Sequence, residues 1–325
     1  MLKFSRFMLL CFMLALTAFF VTGCGEQQGG NANDNSKDGK FLNIATGGTA
    51  GTYYPIGGAM AEILNSSIEG MNASAQSTGA SVANINMLQD GSVDLAIVQN
   101  DITYYAAEGI EMFKDKKMEN LRAIASLYPE TCQIITLEKN GINSISDLKG
   151  KKVAVGAAGS GVEANARQIM KAYGITYDDI DVQYLSFGEA ANALKDGNID
   201  AGFITAGYPT AAIQDLASQS KIKLLPVDVE KADELIKDFP FYTKTMIPAG
   251  TYSGLDVDTP AVSVMAMLIT TDKMSDEVGG AVTKALFENL DRLKASHSAA
   301  AQISKETATN GIPIKFNGGA EKFFQ

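Results

Sequence analysis

The sequence predicts an α/β protein with two lobes and a ligand cleft between them. Short runs rich in β-branched residues alternate with helical patterns from residue 41 onward, which is typical of parallel βαβ units. The alternation occurs in two successive sets with unlike sequences, and glycine-rich turns stand where several strands lead into helices. Two such sets joined by chain crossings leave a cleft, the usual place for a small ligand.

The first set of predicted elements contains three strands and three helices. The strands are predicted at 41–46, 72–76 and 94–99, and the helices at 54–66, 81–89 and from about residue 101. Two further strands, at 121–126 and 132–138, flank a Tyr-Pro-Glu stretch at 128–130. We expect the chain to change lobes at this stretch.

The second set repeats the architecture of the first. Its predicted elements are a short helix at 145–150, a strand at 152–156, a helix at 162–173, a strand at 182–186, a helix at 189–196, a strand at 201–205, a helix after Pro209, a strand at 221–226 and a helix at 229–238. From Thr245 the chain is expected to cross back, with a long strand at 262–271 and an amphipathic helix at 275–293 that has Ser275 as its N-cap. Lobe I is therefore predicted as 41–128 plus 245–325, and lobe II as 129–244.

The N-terminus has the pattern of an export signal. Lys3 and Arg6 precede an uncharged apolar run at 7–21, which is shorter than the roughly 20 residues of a spanning helix. Val-Thr-Gly before Cys24 resembles a bacterial lipobox, which predicts a signal peptide at 1–23 and a lipid such as palmitate on Cys24. The alternative is an ordinary signal peptide with an incidental cysteine. The polar segment 24–40 is expected to be a flexible tether, so that the body is held on the outer face of the cell membrane.

Charge and cysteine content limit the function classes. The formal net charge is −10, which argues against a nucleic-acid partner and favours solubility. Of the three cysteines, Cys11 lies in the signal and Cys24 is the predicted lipid site, so only Cys132 remains in the body. The mature protein is therefore expected to have no intrachain disulfide.

Three glycine-rich turns point to an anion site. They lie at 46–55, 77–84 and 156–163, each between a predicted strand and a predicted helix. Glycine lets the backbone approach a ligand closely, and a helix N-terminus presents free N–H groups to an anion. Hydroxyl donors in these turns are Thr49, Thr52, Ser81 and Ser160. Any one of these turns could be an ordinary connection between a strand and a helix. Three of them, distributed over the two lobes, favour a shared anion site.

Polar groups at two other strand ends extend this site. Gln99 and Asp101 follow the third strand, and Gly207 follows a strand of the second lobe, where ligands bind in open parallel sheets. Asp101 suits either a ligand contact or a helix N-cap. Of Tyr53 and Tyr54, one is expected in the core and the other on the cleft wall.

The sequence gives no support for an enzyme. His297 is the single histidine and is predicted to be exposed on a late helix, with no nucleophile placed beside it. Cys132 is interpreted as a buried strand residue. The sequence shows no zinc cluster, no Walker A loop and no dinucleotide-binding pattern, so we expect neither a metal nor a cofactor.

Eight motifs follow one another along the body of the chain, at 44–57, 94–101, 121–129, 147–156, 159–161, 185–190, 199–203 and 247–252. Together these motifs resemble those of the TAXI solute receptors of TRAP transporters. It implies a type II periplasmic-binding-protein-like fold that closes on a small organic anion, such as a glutamate-like amino acid or a dicarboxylate. It also implies delivery to an ion-coupled TRAP membrane permease.

The matching positions imply a set of ligand-binding residues. They are Thr49, Gly51, Thr52, Tyr53, Ser81, Gln99, Asp101, Ser160, Gly161 and Gly207. The alternatives are that the same binding lipoprotein serves an ATP-driven importer, that it is a ligand-sensing receptor, or that an enzyme of another class uses a similar bilobal frame.

Overall fold

The computed structural model describes residues 40–325, and all structural statements below concern that range. These residues form one compact unit. The strands are β1 Lys40–Ala45, β2 Met71–Gln76, β3 Leu95–Gln99, β4 Leu121–Leu137, β5 Lys152–Ala154, β6 Asp181–Gln183, β7 Ala201–Ala206, β8 Ile222–Leu224, β9 Thr243–Ile247 and β10 Thr259–Thr271. The helices are α1 Tyr53–Ser67, α2 Ser81–Asp90, α3 Asn100–Glu108, α4 Gly161–Ala172, α5 Phe187–Asp196, α6 Ala211–Gln219, α7 Val229–Asp238, α8 Asp276–Phe287, α9 Leu290–Ser296 and α10 Gly318–Phe324. The predicted signal peptide, the lipid site Cys24 and nearly all of the tether lie outside the described residues.

The strands form one mixed sheet in which two parallel groups are joined by two long antiparallel strands. Its order is β2-β1-β3-β10-β4-β7-β5-β6, with β8 added to β4 and β9 added to β10. Strand β4 pairs with β10 through its first part and with β7 through its second. Strand β10 in turn pairs with β9 at its start and with β3 towards its end. These two strands are therefore the covalent connections between the β1–β3 group and the β5–β7 group.

Apolar clusters cover the sheet around each parallel group. Ile44, Ile56 and Leu268 belong to a cluster built from the β1–β3 group and the C-terminal helices. Val153 and Ile169 belong to a second cluster around the β5–β7 group, which also takes up the start of β10. The segment after β9 packs with this second group as well, through Tyr252 and Leu255 among others. The division into two lobes at residues 128 and 244 stays a prediction.

The chain does not break at the Tyr-Pro-Glu stretch where two strands were predicted. Strand β4 continues through it, and Pro129 lies opposite Met265 of β10. The pairing register shifts between Met265 and Met267, so the proline sits beside an irregularity where a missing N–H costs little. A strand that changes partners along its length can thus contain a proline that would interrupt a regular ladder.

Three corrections concern the C-terminal part of the chain. The helix predicted at 275–293 is two helices, α8 and α9, because the Asn289 side chain donates to the carbonyl of Ala285 and the backbone leaves helical geometry there. Strand β9 was not predicted, since its largely exposed residues give no apolar signal. His297 follows α9 and is half-buried, with its Nδ1 accepting the N–H of Ala299, so it is not an exposed helical residue. Burial lowers the pKa of this imidazole.

Candidate ligand-binding site

A cavity lies where the turns of both strand groups meet. Its empty volume is about 590 Å³, including the space that opens to solvent. Its lining residues come from turns and helix starts spread over the chain: Gly47, Gly48, Gly51, Thr52, Tyr53, Thr78, Gly79, Ala80, Ser81, Gln99, Glu130, Ala157, Ser160, Gly161, Val162, Ser186, Phe187, Thr205 and Ala206.

Four helix N-termini form the upper part of this cavity, which we call the rim. Helices α1, α2, α4 and α5 each contribute the residue before the helix and its first residue to the lining. Each N-terminus presents backbone N–H groups and the positive end of a helix dipole. Among the lining residues named above there is no lysine, arginine or histidine. The positive potential of the rim therefore comes from backbone groups.

Hydroxyl groups at the rim are used in two ways. Ser160 Oγ accepts the N–H of Glu163 at 3.4 Å as the N-cap of α4, and it can still donate its own proton to a ligand oxygen. Thr52 Oγ1 donates to the carbonyl of Gly207 at 3.1 Å. The first hydroxyl is available to a ligand, whereas the second links the first turn to the end of β7.

Backbone and side-chain bonds fix the turns relative to one another. The amide of Asn84, fully buried in α2, donates to the carbonyls of Thr46 and Ile97 at 2.6 and 2.8 Å. The N–H of Ala83 donates to the carbonyl of Gly159 at 3.1 Å, which joins α2 to the turn before α4. The rim is therefore closed by direct bonds between the two strand groups.

Three side chains form the base of the cavity, which we call the floor: Tyr53, Gln99 and Glu130. The Tyr53 hydroxyl donates to Glu130 Oε1 at 2.6 Å, and Gln99 Nε2 lies 3.5 Å from Glu130 Oε2. Glu130 is 1% exposed, and burial raises the pKa of its carboxyl to about 8. An uncharged carboxylic acid is thus favoured at the floor at neutral pH.

A buried polar network continues from the floor into the protein. Gln99 Nε2 donates to Asn165 Oδ1 at 3.1 Å, and Asn165 Nδ2 donates to Asp101 Oδ2 at 3.1 Å and to Tyr242 at 2.8 Å. Burial raises the pKa of Asp101 to about 7. The network joins α3 to α4, so the two strand groups also meet beneath the cavity.

The structure brings most of the predicted site residues together. Seven of the ten line the cavity: Gly51, Thr52, Tyr53, Ser81, Gln99, Ser160 and Gly161. Thr49 is exposed and is not in the lining, Asp101 lies behind the floor, and Gly207 contributes its carbonyl to Thr52. Asp101 is not an N-cap either, because α3 starts at Asn100. Ligand contact by the ten residues stays a prediction.

Sequence reasoning missed several lining residues, of which Glu130 is the most important. Its position in the middle of a strand gives no signal, since the residues that surround it come from other parts of the chain. Ser186 and Phe187 could have been found, because Ser186 and Glu189 form a capping box at the start of α5. Arg167, in α4 but outside the lining of the cavity, pairs with Glu111 and Glu163.

Comparison with known proteins gives the family. The sequence profile of the NMT1-like family matches residues 44–325. The chain belongs to the NMT1-like family. Over 85 residues, 26% of this chain and 26% of the relative, it is 34% identical to an aliphatic sulfonates-binding protein of Escherichia coli (strain K12). The match therefore spans about a quarter of that relative's length.

Solved structures show the same fold. The alkanesulfonate-binding protein SsuA from Xanthomonas axonopodis pv. citri, bound to MOPS, has a TM-score of 0.51 at 18% identity and covers 87% of this chain and 83% of its own. A binding protein component of an ABC phosphonate transporter from Pseudomonas aeruginosa has a TM-score of 0.52 at 13% identity and covers 82% and 80%. The predicted periplasmic-binding-protein-like α/β fold is confirmed.

The identification as a TAXI receptor of a TRAP transporter is contradicted by these comparisons. The matched family is the NMT1-like family, the relative found by sequence is a sulfonates-binding protein, and one of the two named structures is a binding protein component of an ABC phosphonate transporter. The motifs behind that resemblance lie largely at junctions that support the fold itself. Asp147, for example, closes a capping box with Ser144, and Gly156 adopts a φ of +97° before Ser160. Such positions are expected in related folds with different transporters.

The relatives bear on enzymatic activity, and the structure bears on metal binding and on membrane-spanning helices. They are solute-binding proteins and not enzymes, which confirms the prediction that the NMT1-like chain is not an enzyme. Within residues 40–325, no group of His, Cys, Asp and Glu side chains is placed to hold a metal ion. No helix in the same range combines the length and apolarity needed to cross a membrane.

Proposed function

We propose that this protein is the extracytoplasmic solute-binding component of an ABC-type importer and that it captures a small sulfonate- or phosphonate-like organic anion. The observation that carries the proposal is the convergence of four helix N-termini on one cavity whose lining contains no cationic side chain. Backbone N–H groups at such ends bind anions directly, and the helix dipoles add a favourable potential.

The geometry suits an anion whose charge is spread over several oxygens. Donors reach the cavity from four directions, so a tetrahedral sulfonate or phosphonate group can use more of them than a planar carboxylate. The relatives named for sulfonates and phosphonates support this class over the glutamate-like or dicarboxylate ligands expected from the sequence. Carboxylates remain the comparison class in the test below.

The partner that follows from this proposal is an ABC permease in the membrane. The same proposal places the protein outside the cytoplasm, where a lipid on Cys24 would keep it near that permease. Replacing Cys24 with serine is expected to move the protein from the membrane fraction to the soluble fraction. Retention of Cys24→Ser in the membrane fraction would contradict the anchor without affecting the ligand site.

Isothermal titration calorimetry tests the ligand class. The purified protein is titrated with ethanesulfonate and ethylphosphonate, with glutamate and succinate as carboxylates and with the uncharged alcohol propanol. Binding of a sulfonate or phosphonate with no response to propanol is the expected result. Binding of the carboxylates alone would overturn the proposed class, and binding of none would overturn the anion site.

Two serine N-caps provide a matched pair of variants for the rim. Ser160 and Ser275 each cap a helix by accepting a backbone N–H, at 3.4 and 3.3 Å, but only Ser160 lines the cavity. Ser160→Ala is expected to weaken anion binding by about 1–3 kcal/mol, because a hydrogen bond to a charged group is lost. Ser275→Ala removes the same kind of cap and should leave affinity unchanged. Equal affinities for the two variants would contradict the role of Ser160.

A further inference from the structure

The floor of the cavity has hydrogen-bond acceptors that its own neighbours do not fill. Both neighbours of Glu130 donate to it, Tyr53 through its hydroxyl and Gln99 through its amide nitrogen. A carboxylate has about four acceptor positions, so two remain. Gln99 Oε1, in a side chain that is 1% exposed, has no hydrogen-bond partner within the described part of the chain. Two adjacent residues of the lining therefore offer acceptors without donors.

The floor also has no counterion for Glu130 in its ionised form. Glu130 is buried, yet the cavity lining in the described range supplies no lysine, arginine or histidine as a counterion. Burying an unpaired carboxylate is costly, and such groups are normally paired or protonated. The two donors already directed at Glu130 favour its ionised form once a cation arrives. The missing partner is thus a group that donates hydrogen bonds and carries positive charge.

From these two features we infer that the ligand carries an amino group as well as its anionic group, and that Glu130 and Gln99 bind the ammonium while the rim binds the anion. This inference rests on the proposed function, because it assigns the second end of a ligand whose first end is the sulfonate or phosphonate. The class is an aminoalkyl sulfonate or phosphonate. The rim would then bind the negative group of a zwitterion, and the floor would bind its positive group.

Because Glu130 must be ionised to bind an ammonium group, the affinity for such a ligand should depend on pH. Burial raises the pKa of the Glu130 carboxyl to about 8, whereas binding an ammonium group requires the carboxylate form. Affinity for an amino anion should therefore rise with pH between 6 and 8, by up to about tenfold per unit, because less work is needed to remove the proton. Ethanesulfonate has no amino group and stays ionised throughout this range, so it gains nothing from ionisation of Glu130 and its affinity should not rise. The two phosphonates each release a second proton near neutral pH, so they are compared with one another at each pH.

Other titratable groups face Glu130 and must be separated from it. They are Tyr53 from α1, Asp101 from α3, and Tyr128 and Cys132 from β4 itself. The tyrosines and the cysteine have pKa values raised by burial and stay protonated between pH 6 and 8. Asp101, whose pKa is about 7, titrates in the same interval. Loss of the pH dependence in Glu130→Gln assigns it to Glu130, and its survival there assigns it to Asp101.

The experiment compares matched probes by calorimetry on the full protein. The pairs are 2-aminoethanesulfonate with ethanesulfonate and 2-aminoethylphosphonate with ethylphosphonate, each at pH 6, 7 and 8. At pH 8 the amino member is expected to bind at least about tenfold more tightly, since a buried charge pair is gained. Glu130→Gln should bring the two members of each pair close together, while the exposed Glu138→Gln, with the same charge change, should keep the difference.

Each outcome decides between the two proposals. If the plain anion binds as well as its amino partner, the inference is overturned and the proposed function stands. If affinity for the amino member falls from pH 6 to 8, Glu130 acts as a neutral donor and the inference is again wrong. If no member of either pair binds, both proposals fail. The comparison in the parent protein needs no variant, so it decides even if Glu130→Gln does not fold.

Discussion

The rim and the floor of the cavity present polar groups to a ligand in different ways. The rim uses backbone groups at four helix starts, each set up by residues adjacent in sequence. The floor uses side chains from three different elements, Tyr53 of α1, Gln99 of β3 and Glu130 of β4, which meet only in the folded chain. The rim is therefore fixed by local structure, whereas the floor depends on packing and on protonation.

The largest expected effect tests the floor through the pH dependence of stability. Burial raises the pKa of Glu130 to about 8 and that of Asp101 to about 7, both above their values in an unfolded chain. The folded state then holds protons that the unfolded state releases. The free energy of unfolding should fall as pH rises from about 5 to 8, by up to about 1.4 kcal/mol per pH unit for each group.

Urea denaturation at pH 5, 6, 7 and 8 measures this dependence. Glu130→Gln and Asp101→Asn should each flatten the curve by removing one titrating group. The exposed carboxylates Asp147 and Glu189 have lowered pKa values and act in the opposite direction, but only as pH falls below the chosen window. His297, whose pKa is lowered by burial, opposes the trend at the acidic end of the window, because below about pH 6.5 the unfolded state binds a proton more readily than the folded state does. A parent protein whose stability is constant or rises between pH 5 and 8 would show that the floor is not a desolvated acid site.

The second effect tests the contact between rim and floor. A Cβ at Gly161 would overlap the Gln99 side chain and approach Ile102 Cγ1 at 2.9 Å. Gly161→Ala should destabilise the protein by about 1–3 kcal/mol through overpacking, and it should weaken ligand binding because Gln99 must move. Gly58→Ala in α1 is the matched control, since nothing lies within 4 Å of a Cβ there. That change should stabilise by about 0.5–1 kcal/mol. Equal unfolding free energies for the two variants would contradict the tight contact.

The difference between rim and floor also explains what could be predicted from the sequence. The three glycine-rich turns were recognised because strand, turn and helix signals lie next to one another, and each turn does line the cavity. The helix and strand positions around them agree with the structure to within a few residues. Hydrophobic periodicity and turn residues over short stretches of sequence are sufficient to predict these helices, strands and turns.

Features that depend on distant residues were missed. Glu130 lies in a strand that changes partners from β10 to β7, so neither its burial nor its neighbours follow from the residues beside it. Asp101 was placed correctly at a strand end but belongs to the network behind the floor rather than to the cavity. The family identification was wrong for a related reason, because motifs that cap helices and turn the chain are characteristic of a fold more than of its transporter.

The smallest effect tests whether the rim is set by backbone conformation alone. Ala80, just before α2, has φ +70° and ψ −149°, a region that glycine adopts far more readily than alanine. Ala80→Gly should therefore stabilise the protein by about 1 kcal/mol and leave anion affinity unchanged, because the donors at this position are backbone N–H groups. Ala83→Gly, inside the same helix, should destabilise by about 0.5–1 kcal/mol. If both changes destabilise equally in urea denaturation, the Ala80 side chain supports the rim, and the rim then depends on side-chain packing as the floor does.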